Sequence, residues 1–245
     1  MSRSLSTNIA HLIALSLQAD LADERGEPDG GARRDAEALR VAIRARFWLA
    51  DQGLFSAFIT TGLDSAPAGQ LDLLGNALAI LEGVATPAQA RSILERYPHL
   101  PPGPPVIWPQ QQFTAIYHNR GQWPFVTAFW LRAGLAGQHG AVVARSVRAL
   151  MRGAALNLSN MENFEAASGL PAVDDGPYSG PVVNSQRQLW SVAGYLTVVH
   201  EALFGLYPGA DGLRLAPAIP TDLWDALFGD ADRAVLEGYP TAAAA

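Results

Sequence analysis

The sequence predicts an all-α fold, arranged as part of a double-layered helical barrel. Three observations predict it. Seven stretches carry helical periodicity; they alternate between stretches apolar on almost every side and stretches apolar on one face; and the links between them alternate between short and long.

The first stretch, 8–22, is apolar nearly all round and is expected to be an inner helix. The second, 33–47, is an outer helix: Ala36, Leu39, Ile43 and Phe47 follow helical spacing, with Arg34, Glu37, Arg40 and Arg44 outside it. Residues 72–84 return to the inner character, and 87–97 to the outer. Thr86 before Pro87, with Gln89 three residues on, gives that outer helix a capping box with proline at its first position. The stretch 122–136 is an inner helix rich in Trp123, Phe125, Val126, Phe129, Trp130 and Leu131, and 140–156 is the third outer one. The last inner helix spans 186–204, where Ser185 and Gln188 repeat the capping pattern and Gly205 supplies a stop.

Links from inner to outer helix are short (23–32, 85–86, 137–139), and those from outer back to inner are long (48–71, 98–121, 157–185). Antiparallel hairpins put alternate links at opposite ends, so all the long loops share one end, the usual place for binding and catalysis. A closed six-hairpin barrel needs six helices of each kind, and the chain offers four inner and three outer. The open side of the first inner helix therefore implies a complementing N-terminal half or self-association. After Pro208, GADGLRLAPAIP and RAVLEGY read as extended segments, which divides the chain into a barrel part, 1–207, and an extension, 208–245.

Composition narrows the function. With 49% hydrophobic residues in a chain of 245, there is enough apolar material for one large core. The 17 basic residues are all arginine, and the net charge of −6 argues against nucleic acid or an anionic membrane as partner. Absence of cysteine excludes disulfides and thiolate chemistry, and the five scattered histidines show no metal-ligand spacing. No metal or cofactor is expected. The start lacks the layout of a signal peptide, which points to the cytoplasm if Met1 is the native start, and no run reaches the ~20 apolar residues of a bilayer span.

Three stretches on the long-loop end carry chemistry. Ile116–Phe125 combines Tyr117, His118, Asn119 and Trp123, groups that stack on and hydrogen-bond a sugar ring, although the start of a helix at Pro124 would also account for Trp123. Asn160–Glu165 holds two carboxylates, of which Glu162, between apolar Met161 and Phe164, is favoured as a proton acceptor over Glu165. Asp174–Trp190 runs into the last inner helix. Its Asn184, Gln186 and Arg187 are free to face a ligand, Gln188 serves either a cap or the pocket, and Asp174 and Asp175 are the alternative carboxylates. No nucleophile elbow and no phosphate-binding glycine loop is present, which leaves acid–base chemistry by carboxylates.

The runs YHNRGQWPF, MENFEAASG, SGPVVNSQRQLWSVAGYLTVVHEALFGL and DGLRLAPAIP, in this order, resemble the C-terminal half of the six-hairpin glycosidases. This is the (α/α)6 clan of glycogen-debranching glucosidases, trehalases and mannosidase- or rhamnosidase-like enzymes. The resemblance implies a partial (α/α)6 toroid and an inverting, exo-acting hydrolase of oligosaccharides or glycosides. By the same resemblance Glu162 is the general base, His118 and Asn119 contact the sugar, and Gln188 to Ser191, with Trp190, line the pocket. The general acid of such enzymes, an aspartate of the N-terminal half, has no counterpart here by motif, so the chain alone is expected to turn over little substrate. The rival expectations are a non-catalytic remnant or carbohydrate-binding module, and a sugar epimerase or polysaccharide lyase, which would favour histidine or tyrosine over Glu162.

Overall fold

Seven α-helices form the frame of the computed structural model, which describes residues 2–62, 65–171, 184–209 and 212–219 together with 223 and 225. They are α1 (Leu5–Arg25), α2 (Ala32–Phe47), α3 (Leu73–Leu81), α4 (Pro87–Arg96), α5 (Pro124–Ala136), α6 (Gly140–Asn157) and α7 (Leu189–Thr197). α1, α3, α5 and α7 pack side by side in that order, while α2, α4 and α6 each pack on the helix before them. Two layers of helices result, as the alternating character of the stretches predicts.

Burial follows position in the row. α3 buries Leu73, Gly75, Asn76, Ala77, Leu78 and Ala79 in succession, and α5 likewise buries residues on nearly every side, because both have neighbours on both flanks. α1 and α7 depart from the enclosed character read from the sequence. α1 buries one stripe, Leu5, Ile9, Leu12 and Ala19, and leaves Leu17 and Leu21 exposed; α7 leaves Leu189, Trp190 and Leu196 exposed. Among the described residues each ends the row, with an inner neighbour on one side only. The main core gathers α1 to α5 around Ile9, Phe55, Leu73, Ile93 and Trp130, and a second cluster joins α5 and α6 to Val198, Ala202 and Leu223. Among the described residues no helix is long and apolar enough to cross a membrane.

The fold is not purely all-α. Among the described residues, five two-stranded antiparallel sheets accompany the helices. Three of them repeat one device: the strand leading into an inner helix pairs with a strand in the next long loop. Ser2–Ser4 pairs with Phe58–Thr60, Leu71–Asp72 with Ile107–Trp108, and Gly121–Gln122 with Phe164–Glu165. Long loops at one end carry many backbone polar groups, and pairing them to each other satisfies those groups where no helix can. Side chains reinforce the ties. Asn76, fully buried in α3, accepts from the Phe55 amide at 3.0 Å and donates to the Phe55 carbonyl at 3.0 Å, substituting for a strand partner.

The helix ends reflect local chemistry. Thr86, Pro87 and Gln89 form the expected capping box at α4. The box expected from Ser185 and Gln188 does not form: Ser185 bonds its hydroxyl to the Arg187 carbonyl, and Gln188 is itself the cap of α7, its Oε1 accepting from Leu189 N at 3.2 Å. Backbone ties from Glu162 and Asn160 hold 185–188 outside the helix. After α7 the winding widens to a π-type turn over Val198–Leu203 and stops at Gly205, where φ is 57°. A Cβ there would meet the Ala216 carbonyl carbon at 2.0 Å, so the position requires glycine. Leu206–Gly209 then pairs with Gly212–Leu215, which is the extended segment expected after Pro208 and also straddles the boundary drawn at 207. RAVLEGY lies outside the described residues.

Candidate functional site

The starts of the four inner helices, capped by Ser4, Asp72, Trp123 and Gln188, share the end that carries the long loops. A cavity of about 570 Å³ opens there, within the size range of small-ligand sites. Its lining includes Ser2, Ser4, Ser6 and Asp72, with Phe58 paired to Ser4, and the aromatic group Tyr117, His118, Trp123, Phe125 and Trp190.

The aromatic side is a packed cluster. His118 stacks on Trp123 with ring centroids 4.7 Å apart and planes 16° apart, and Tyr117 meets Trp123 edge-on at 4.9 Å. Phe125 stacks on Trp190 at 4.8 Å, which joins the α5 and α7 contributions. A tight turn aims these rings: Gly121 N donates to the His118 carbonyl at 3.2 Å, and a Cβ on Gly121 would lie 2.0 Å from the Tyr117 carbonyl oxygen. Trp123 Nε1 donates to that same carbonyl at 3.1 Å, so the indole is locked as the rings are placed. Although His118 stays solvent-accessible, desolvation of its packed ring lowers its pKa, against an opposing pull from Glu162. The imidazole is therefore neutral at neutral pH and able to hydrogen-bond as donor and acceptor.

The ladder between Gly121–Gln122 and Phe164–Glu165 brings the Glu162 loop against this cluster. Glu162, 7% exposed, accepts from the Tyr117 hydroxyl at 3.1 Å through Oε1 and from the Ser185 amide at 2.9 Å through Oε2. Its carboxylate is thus one hydrogen bond behind the cavity wall. The Tyr117 hydroxyl is held in its neutral form by burial and by that bond to Glu162. Glu165 has another environment, an ion pair to Arg120 at 3.2 Å and the Ser168 amide at 2.7 Å. Burial pushes its pKa up, but Ser168, the Ala167 amide and Arg120 together hold it below the ordinary value. Glu165 is an anchored anion of the loop rather than a group facing the cavity.

The remaining candidates divide. Tyr117, His118, Trp123 and Trp190 line the cavity with Asp72. Asn119 is buried and occupied with its own loop, accepting from Gln111 N at 2.7 Å and donating to the carbonyls of Gln111 and Thr114. Asn184 clasps the Glu162 loop, donating to the carbonyls of Asn163 at 2.8 Å and Pro171 at 3.1 Å. Gln186 is exposed and takes the Ser159 hydroxyl on its backbone carbonyl, and Gln188 caps α7. Asp174 and Asp175 lie outside the described residues.

Asp72 is the site residue that the motif reading passed over. It caps α3, accepting from Leu74 N at 3.1 Å and Gly75 N at 3.2 Å, and burial raises its carboxyl to about 6 against those bonds and one from Ser6. The signal for it was an acid directly before an apolar helix at the long-loop end. No model of a known protein family matches the chain, and no curated protein matches it.

Proposed function

We propose that the chain is part of a six-hairpin glycoside hydrolase, its two layers of helices forming part of an (α/α)6 toroid, and that it cleaves a glycoside with inversion. The single observation that carries this reading is the link from Glu162 through Tyr117 to a cavity lined by aromatic rings and serine hydroxyls. Aromatic faces pack against the C–H faces of sugars, and serine hydroxyls and a neutral imidazole exchange hydrogen bonds with sugar hydroxyls. Glu162, an acceptor-only group fixed by two donors, would take the proton of the Tyr117 hydroxyl as that hydroxyl takes one from a water in the cavity, and that water would attack the anomeric carbon.

The test is a panel of aryl glycosides with proton NMR of the first product. Release of a sugar of inverted configuration supports the proposal; retention, or no cleavage of any member, overturns it. A non-catalytic carbohydrate-binding reading draws on one specific observation, the position of Glu162 behind Tyr117. It requires saccharide binding, measured by quenching of tryptophan fluorescence, with no turnover.

A further inference from the structure

The charge of the cavity bears on what it holds. Asp72 is on its lining, and none of the described arginines is, although these are every basic residue of the chain except Arg233. Arg3 stands between Ser2 and Ser4 in the first strand, and the alternation of a strand turns it away from the cavity those serines line. The Leu74 amide holds Asp72 by Oδ1, the Gly75 amide holds it by Oδ2, and Ser6 adds a third bond. A carboxylate has roughly four acceptor positions, so one stays open. With its pKa raised by burial to about 6, the group is still largely ionised at neutral pH. Among the described residues, a buried carboxylate thus faces the cavity without a cation, and a ligand that brings a positive charge supplies what the fold does not.

The rest of the lining points the same way. Tyr117, His118, Trp123, Phe125 and Trp190 gather in one aromatic group, and the face of an indole or a phenol attracts a cation through its quadrupole. The net charge of −6 adds to that attraction at longer range. Carboxylate and ring faces together suit an ammonium group, and neither suits an anion.

We infer that the sugar this cavity takes is cationic, an amino sugar whose ammonium group pairs with Asp72. The inference rests on the hydrolase reading above and names its substrate class. The ammonium donates to the open position of the Asp72 carboxylate, while the sugar ring packs on the aromatic group. Uronic acids and sulfated or phosphorylated sugars are excluded, and neutral sugars bind more weakly.

The experiment titrates glucosamine, galactosamine and mannosamine, each beside its parent hexose and its neutral N-acetyl derivative, into the wild-type chain, Asp72→Asn and Asp72→Ser at neutral pH. Binding is read by tryptophan fluorescence, since Trp123 and Trp190 line the cavity. Asn and Ser both cap helices, so α3 keeps its start, and circular dichroism checks that it does. A charge-assisted hydrogen bond outweighs a neutral one, so at least one amine is expected to bind the wild type ~10-fold or more tighter than its neutral forms. In both variants that preference is expected to vanish while the neutral sugars bind as before. No preference for any amine in the wild type overturns the inference, and this comparison stands where neither variant folds. A preference that survives in folded variants overturns the pairing with Asp72. The hydrolase reading is scored separately, by cleavage of the aryl glycosides, so either result leaves it standing.

Discussion

Glu162, Glu165 and Asp72 are three largely buried carboxyls with three different surroundings. Glu165 faces Arg120 and the Ser168 amide, so Glu165→Gln removes the ion pair and leaves the buried loop without its anion, and is expected to lower stability by ~1–3 kcal/mol, read from the urea midpoint. Its depressed pKa means that this contribution is present above the unfolded value of 4.5 and is lost as pH falls through the lower folded value. Asp72 has the opposite sign. Its folded carboxyl binds a proton more tightly than the unfolded one, so its contribution is greatest below 3.8 and declines as pH rises through about 6. Asp72→Asn, which cannot ionise, is therefore expected to compare more favourably with wild type at about pH 8 than at about pH 4. Thermal melts at the two pH values check this, and a difference of the opposite sign would show that the cap bonds outweigh burial. The sequence reading set Glu162 between apolar Met161 and Phe164, and both of those neighbours are in the interior. It could not show that Asn119 turns inward to its own loop, because an amide's partners depend on loop geometry and not on neighbours in the sequence.

At the scale of elements, the helices were legible because their apolar residues repeat at a helical period over ten or more residues, and periodicity of that length has few other solutions. The α4 start was legible to the residue, since Thr86, Pro87 and Gln89 each act locally. Thr86→Ala is expected to cost ~1 kcal/mol, measured by chemical denaturation, through loss of the bond from Gln89 N. The paired strands were not legible. Two- and three-residue strands such as Gly121–Gln122 are too short to show alternation, and their pairing joins loops distant in sequence. The start of α7 was misread for a related reason: Ser185 and Gln188 have the spacing of a box, but Glu162 and Asn160 capture the backbone of that segment. Local signals prevail where nothing else competes for the same amides.

At the scale of the whole molecule, the row of inner helices ends, among the described residues, in exposed apolar side chains, Leu17 and Leu21 on α1 and Leu189, Trp190 and Leu196 on α7. Surfaces of this kind favour association, so sedimentation is expected to show species heavier than the 26.1 kDa chain as concentration rises, and a strict monomer would show that these faces are too small or too scattered to matter. Between those faces, the repeated strand pairing ties three of the four inner-helix starts to the loops around one cavity, and the account depends on Glu162 acting there as a base. The most direct measurement is the steady-state kinetics of wild type and Glu162→Gln on a glycoside the wild type cleaves. The substitution keeps the size of the side chain and an oxygen for the Tyr117 hydroxyl but removes the proton acceptor. The account predicts a kcat lower by ~10²–10⁴-fold with KM little changed; an unchanged kcat, or a rise in KM alone, would contradict it.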